Sequence, residues 1–179
     1  MAAESSGFYR KNMELLEKNH PQAWNIVRET DVAPAGTIIT SSSGEPNLKV
    51  DLADRELFFH DPSTPGKEGD QFLAIVPENA RGSVVFQGMG LGYGPLAIIE
   101  NRENIRHLIV FELSVEIFFQ ALSAKDLSVL LSDSRVMICL GKDPDVNGVL
   151  SSAALSMRLE ETSMLTHNPS CQYEKEGYE

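Results

Sequence analysis

The stretch VVFQGMGLGYGP carries four glycines at alternate positions, Gly88, Gly90, Gly92 and Gly94, between a β-branched run and a proline suited to the first turn of a helix. Glycine at that spacing lets the backbone turn sharply and keeps Cβ atoms out of the way of whatever approaches it. The amides left bare at a helix start can hold a carboxylate, a phosphate or a ribose. Tyr93, inside the turn, is bulky enough to cover a bound base or to fill the ligand's place. Glu112 ends the next apolar run, 24 residues after Gly88. A carboxylate there can accept hydrogen bonds from both ribose hydroxyls, and the spacing is near the roughly 20 residues expected for nucleoside recognition. Asp143, in the GKD turn after the third run, is a further candidate at the same edge. These seven residues form the expected binding site, and none has an assigned catalytic role.

The register narrows the ligand. A dinucleotide fingerprint has glycine at its first, third and sixth positions, whereas the sixth position is Tyr93 counted from Gly88 and Pro95 counted from Gly90. The G-x-G-x-G form is instead similar to motif I of S-adenosylmethionine-dependent methyltransferases. Those carry an acid two positions before the first glycine, and Phe86 stands there. The cofactor classes left open are S-adenosylmethionine and a nucleotide, and a plain alternative is that the glycines only permit tight strand-to-helix packing. Elsewhere little points to chemistry. His20, His60, His107 and His167 fall in separate elements without a second ligand at metal spacing, so ordinary surface or boundary roles and no metal are expected. There is no G-x-S-x-G elbow, and neither Cys139 nor Cys171 has a histidine near it in sequence.

The elements that must position the turn follow from periodicity. Residues 8 to 29 read as two helical pieces broken at Pro21, and residues 36 to 61 as a small antiparallel β-meander with strong turn signals between its strands. In that meander Phe58 and Phe59 are expected in the core rather than in a recognition patch. A loop over 61 to 70 marks the expected boundary between a unit 1–68 and a unit 69–179, with a short helix over 70 to 78. From Ser83 strands and helices alternate: strand Ser83 to Gln87, helix Pro95 to Asn101, strand His107 to Phe111, helix Val115 to Leu122 capped by Ser114, strand Arg135 to Cys139, and an amphipathic helix over 146 to 157. Alternation of this kind predicts an α/β fold with a Rossmann-like parallel sheet flanked by helices, preceded by a helix and the meander.

Composition excludes several partners. The formal net charge is -11 and the acidity divides evenly between residues 1–82 and 83–179, so no basic stripe exists to neutralise nucleic acid or anionic lipid. No apolar run reaches the roughly 20 residues of a membrane span. With two well-separated cysteines and no charged-then-apolar start, a reducing, cytoplasmic setting is expected. The polar run at the end suggests that the chain is a piece of a longer protein.

The stretch GMGLGYGPLAIIENRENIRHLIVFELSVEIFFQALSAKDLSVLLSDSRVMICLG resembles the amino-terminal region of motility-associated factor (Maf) glycosyltransferases. In that family a G-x-G-L-G-Y-type turn precedes a strand ending in an acid and a DLS..L segment, here Asp126, Leu127 and Ser128. The likeness is specific over 83 to 141 and looser over 8 to 61. It implies a Rossmann-like module, binding a nucleotide ligand or a partner, that precedes a separate catalytic domain. The parent protein would be a bacterial, cytoplasmic enzyme that takes a nucleotide-activated nonulosonic sugar and transfers it to flagellin. The alternative is a small methyltransferase-like enzyme that holds S-adenosylmethionine on Gly88 to Gly92 and Glu112.

Overall fold

The computed structural model describes residues 7–31, 33–142 and 161–174. Asp143 and the helix expected over 146 to 157 lie outside the described residues. The chain opens with α1 (Gly7–Asn19) and α2 (Pro21–Glu29), separated where Pro21 takes the first position of the second helix. Strands β1 (Thr37–Thr40), β2 (Pro46–Asp51) and β3 (Glu56–Phe58) form the antiparallel meander, with Ile38 opposite Leu48 and Val50 opposite Leu57.

Helix α3 (Lys67–Ile75) begins earlier than the periodicity indicated. Asp61 accepts the amides of Ser63 and Thr64 and sets up the entry turn, while Pro77 keeps Val76 extended and ends the helix before 78. There follow β4 (Ser83–Gln87), α4 (Tyr93–Asn101), β5 (His107–Glu112), α5 (Val115–Ala124), α6 (Ser128–Ser132), β6 (Val136–Leu140), β7 (Ser163–Thr166) and α7 (Asn168–Tyr173). Ser114 caps α5 as expected, its Oγ accepting the Ile117 amide at 3.1 Å. Helix α4 starts at Tyr93 rather than Pro95, which still falls in the first turn, where a missing N–H costs nothing. Helices α6 and α7 and strand β7 had no clear signature in the sequence.

The four-stranded sheet is parallel throughout, in the order β6-β5-β4-β7. The connections through α4 and α5–α6 run outward from β4 to β6, whereas β7 pairs with the opposite side of β4. The strand order therefore reverses between β4 and β7. In open parallel sheets ligands bind at such a switch point, outside the carboxyl ends of the strands, and the glycine turn lies there.

Alternating residues of the sheet, among them Val84, Phe86, Leu108, Val110, Ile138 and Leu165, face one apolar core. Leu16, Val27, Leu48 and Phe59 belong to the same core, which therefore runs across the boundary expected at 68/69. Polar side chains tie the elements where backbone groups would otherwise be stranded. Arg102 donates to the carbonyls of Leu73 and Val76 at the end of α3, and Arg135 to those of Ile99 and Arg102 at the end of α4. Asn12, fully buried in α1, donates to the carbonyls of Leu122 (2.9 Å) and Lys125 (2.7 Å) and accepts the Leu127 amide (3.1 Å), which fixes the α5–α6 junction.

Asn12→Ala strands two carbonyls and one amide away from water. A loss of about 3 kcal/mol is expected, read as a lower denaturant midpoint with an unchanged slope.

Candidate functional site

Three consecutive amides leave the carboxyl end of β4 at the switch point, and each meets a side chain of the same molecule. The Met89 N–H donates to Glu112 Oε2 at 2.8 Å, the Gly90 N–H to Ser170 Oγ at 3.2 Å, and the Leu91 N–H to His60 Nε2 at 2.9 Å. Glu112 is completely buried and its Oε1 also accepts the Ser114 amide. The acid thus stands opposite the turn, as the sequence suggested, but takes backbone amides where a ribose would lie.

The glycines are explained by the same contacts. Gly88 and Gly90 adopt positive φ, 72° and 53°. A Cβ at 88 would lie 2.4 Å from the Ser170 Cβ, and one at 90 would lie 2.6 to 2.7 Å from the rings of His60 and His167. Gly92 and Gly94 make room for Leu127 and for Phe72 and Phe86. Tyr93 sets its ring edge-on against that of His60, centroids 4.9 Å apart, with its hydroxyl donating to the Pro46 carbonyl and the Lys125 Nζ lying 4.0 Å from its ring centroid. The structure brings Gly88, Gly90 and Glu112 together, packs Tyr93 against the His60 ring beside them, and does not describe Asp143.

His60 and His167 correct the expectation of ordinary surface or boundary histidines in separate places. Both rings are buried, their centroids lie 4.9 Å apart, and Glu68 sits between them. Nothing in their spacing reveals this, because His60 follows the meander, Glu68 opens α3 and His167 precedes α7. Of the two phenylalanines expected in the core, Phe59 is wholly buried and Phe58 half-buried.

Two imidazoles and a carboxylate within ligand distance of one another invite a metal. The hydrogen bonds favour protons over an ion at this place. His60 Nε2 accepts from the Leu91 amide, so the neutral ring carries its proton on Nδ1, where it faces Glu68 Oε2. His167 Nδ1 accepts from the Ser170 amide at 3.2 Å, so its proton sits on Nε2, between the Phe59 carbonyl (2.8 Å) and Glu68 Oε1 (3.3 Å). Both nitrogens turned toward Glu68 are donors, and a metal would require them bare. The trio is a carboxylate gripped by two N–H groups.

Ser170, His167 and Glu68 also follow the order of a nucleophile, base and orienting acid. Ser170 is completely buried, its Oγ accepts the Gly90 amide, and His167 acts as the N-cap of α7, so no substrate reaches the hydroxyl. Burial holds His60 down to about 3 and His167 to about 4, and it raises the Glu68 carboxyl. Lys125 lowers His60 further, while Glu68 partly offsets the shift of His167.

Residues 58–156 match the family model described as the glycosyltransferase Maf N-terminal domain. No curated protein matches the chain. Among solved structures, the Maf glycosyltransferase from Magnetospirillum magneticum AMB-1 is similar in fold, with a TM-score of 0.61 at 14% identity. That match covers 94% of this chain and 34% of the other, so the chain spans about a third of the length of that solved protein.

Two measurements check the site. The folded chain keeps both histidines neutral well below the pH at which an unfolded chain protonates them near 6.5. Their stability is therefore fully present above pH 6.5 and is lost as pH falls toward about 4 and about 3. Unfolding free energy is expected to fall by about 1.4 kcal/mol per pH unit for each histidine across that window; a His60→Asn/His167→Asn chain loses the dependence. Zinc ions in slight excess are expected to leave the thermal midpoint unchanged, and a rise that chelator reverses would mean the tautomers are assigned wrongly.

Proposed function

We propose, since the chain belongs to the family of glycosyltransferase Maf N-terminal domains, that it is the non-catalytic Rossmann-like module of a larger glycosyltransferase and works as a scaffold and partner-binding element. The three capped amides carry this reading. In a nucleotide-binding sheet of this type, the turn after the first strand offers its N–H groups to a phosphate or ribose across an open crevice. Here Glu112, Ser170 and His60 occupy those positions, and the rings of His60 and His167 lie over Gly90. A nucleotide or S-adenosylmethionine entering this space would have to displace α7, taking the Ser170 hydroxyl from Glu112 and the His167 N–H from Glu68 while both acids stay largely buried. The cost of uncovering such groups argues against either ligand.

Handling of the nucleotide-activated sugar then falls to the rest of the parent protein, of which a chain of this kind forms about a third in the Magnetospirillum structure. The resemblance noted in the sequence favours a nonulosonic sugar as the group transferred and flagellin as the acceptor, in the cytoplasm. Cys139, which is buried, and Cys171 form no disulfide, which agrees with a reducing compartment. No described helix is long and apolar enough to cross a membrane.

Calorimetry and thermal unfolding with S-adenosylmethionine, NAD and nucleoside diphosphates at millimolar concentration are expected to show neither heat nor a shifted midpoint. A stabilisation that Glu112→Gln removes would place a ligand on the glycine turn and overturn the proposal.

A further inference from the structure

A second concave surface lies away from the crevice. A cleft of about 500 Å³ opens over α4, with α3 as one wall and the start of α6 as the other. Its floor is the face of α4 that carries Leu96, Ala97 and Glu100, residues at helical spacing. Leu73 of α3 and Val129 of α6 flank it with apolar surface, and Val129 is 49% exposed, one of four large hydrophobic side chains left open to solvent among the described residues. Asp70 on α3 and Glu100 on α4 stand exposed at the lip and form no ion pair among the described residues. A trough between two helices above a third has the shape that receives another helix, whose diameter with side chains is roughly 10 Å.

We infer that this groove docks a basic amphipathic helix of a partner protein, with the partner's apolar stripe on Leu73, Ala97 and Val129 and its lysines or arginines on Asp70 and Glu100. Charge selects the occupant. A second copy of a chain with net charge -11 would bring like charge to the lip, and nucleic acid or an anionic lipid surface would be repelled in the same way. Among the described residues lining the cleft the cation is Lys125, whose amine lies over the Tyr93 ring, and Glu45, Glu100 and Asp126 all bear on its charge. It therefore leaves the lip acidic. Helix-in-groove recognition of this kind combines apolar anchors with flanking charge.

The inference rests on the proposal that the module acts through protein contacts, but the two can fail separately: nucleotide binding is read at the glycine turn and helix binding at α4. The probe is a fluorescent amphipathic peptide of leucine, alanine and lysine, about 18 residues or five helical turns long, with a control in which glutamate replaces lysine. Anisotropy should show binding that weakens as salt is raised. The exposed charge reversals Asp70→Lys/Glu100→Lys, and separately Val129→Lys, should each weaken it about tenfold or more. Unchanged thermal midpoints in these variants establish that the fold is intact. No binding, equal binding of the glutamate control, or indifference to both sets of substitutions overturns the inference. A concentration-dependent dimer in sedimentation that Val129→Lys abolishes also overturns it, by making a second copy the occupant.

Discussion

Everything near the carboxyl end of the sheet depends on satisfying the amides of Met89, Gly90 and Leu91 without water. A buried N–H left unpaired costs about 1 to 3 kcal/mol, and three in a row would consume a large part of the stability of a domain this size. The acceptors come from three distant places in the chain: Glu112 at the end of β5, Ser170 in α7 and His60 just after the meander. Meeting this one requirement joins the meander, the sheet and the last helix into a single body. It is also why one apolar core, from Leu16 to Leu165, runs through segments that look separable in sequence.

Supplying a histidine nitrogen as an acceptor has a consequence for charge. His60 can accept from Leu91 only as a neutral ring, and its remaining N–H must then be satisfied in a place where water does not reach. Glu68 provides that acceptor, and its second oxygen lies within reach of the N–H of His167. His167 is neutral for the same reason, because its other nitrogen accepts the Ser170 amide. Each protonation state is set by a backbone amide, so the network is specified by the fold rather than by bulk pH. A metal would have to reverse these tautomers and strand the amides of Leu91 and Ser170.

Local pattern made much of the architecture legible in advance. The break at Pro21, the meander, the β4 to β6 alternation and the Ser114 cap all follow from turn chemistry and periodicity within a few residues of each other. The glycine turn and the facing Glu112 were likewise visible. What stood above the turn was not, because His60, Glu68, His167 and Ser170 are scattered over more than a hundred positions and meet only once β7 pairs with β4. Strand β7 has four residues with one buried, Leu165, too short for alternation to register. The start of α3 leaves no periodic signal because Asp61 organises it from outside the helix.

A glycine-rich turn after a strand therefore reports that something approaches the backbone closely, and not what that something is. A phosphate, a ribose and a protein side chain all demand the missing Cβ, and here the close partners are Ser170 and two imidazoles. What distinguishes the cases is the supply of acceptors. An open site leaves its amides to solvent and exchanges water for ligand at little net loss, whereas a turn capped by buried side chains could open only by undoing the contacts of α7 and His60 together. On the proposed reading of the crevice, recognition uses surfaces whose polar groups are still exposed. The cleft over α4 meets that condition: Asp70 of α3 and Glu100 of α4 are exposed, Val129 of α6 is uncovered, and nothing in the core must move for a partner to sit there.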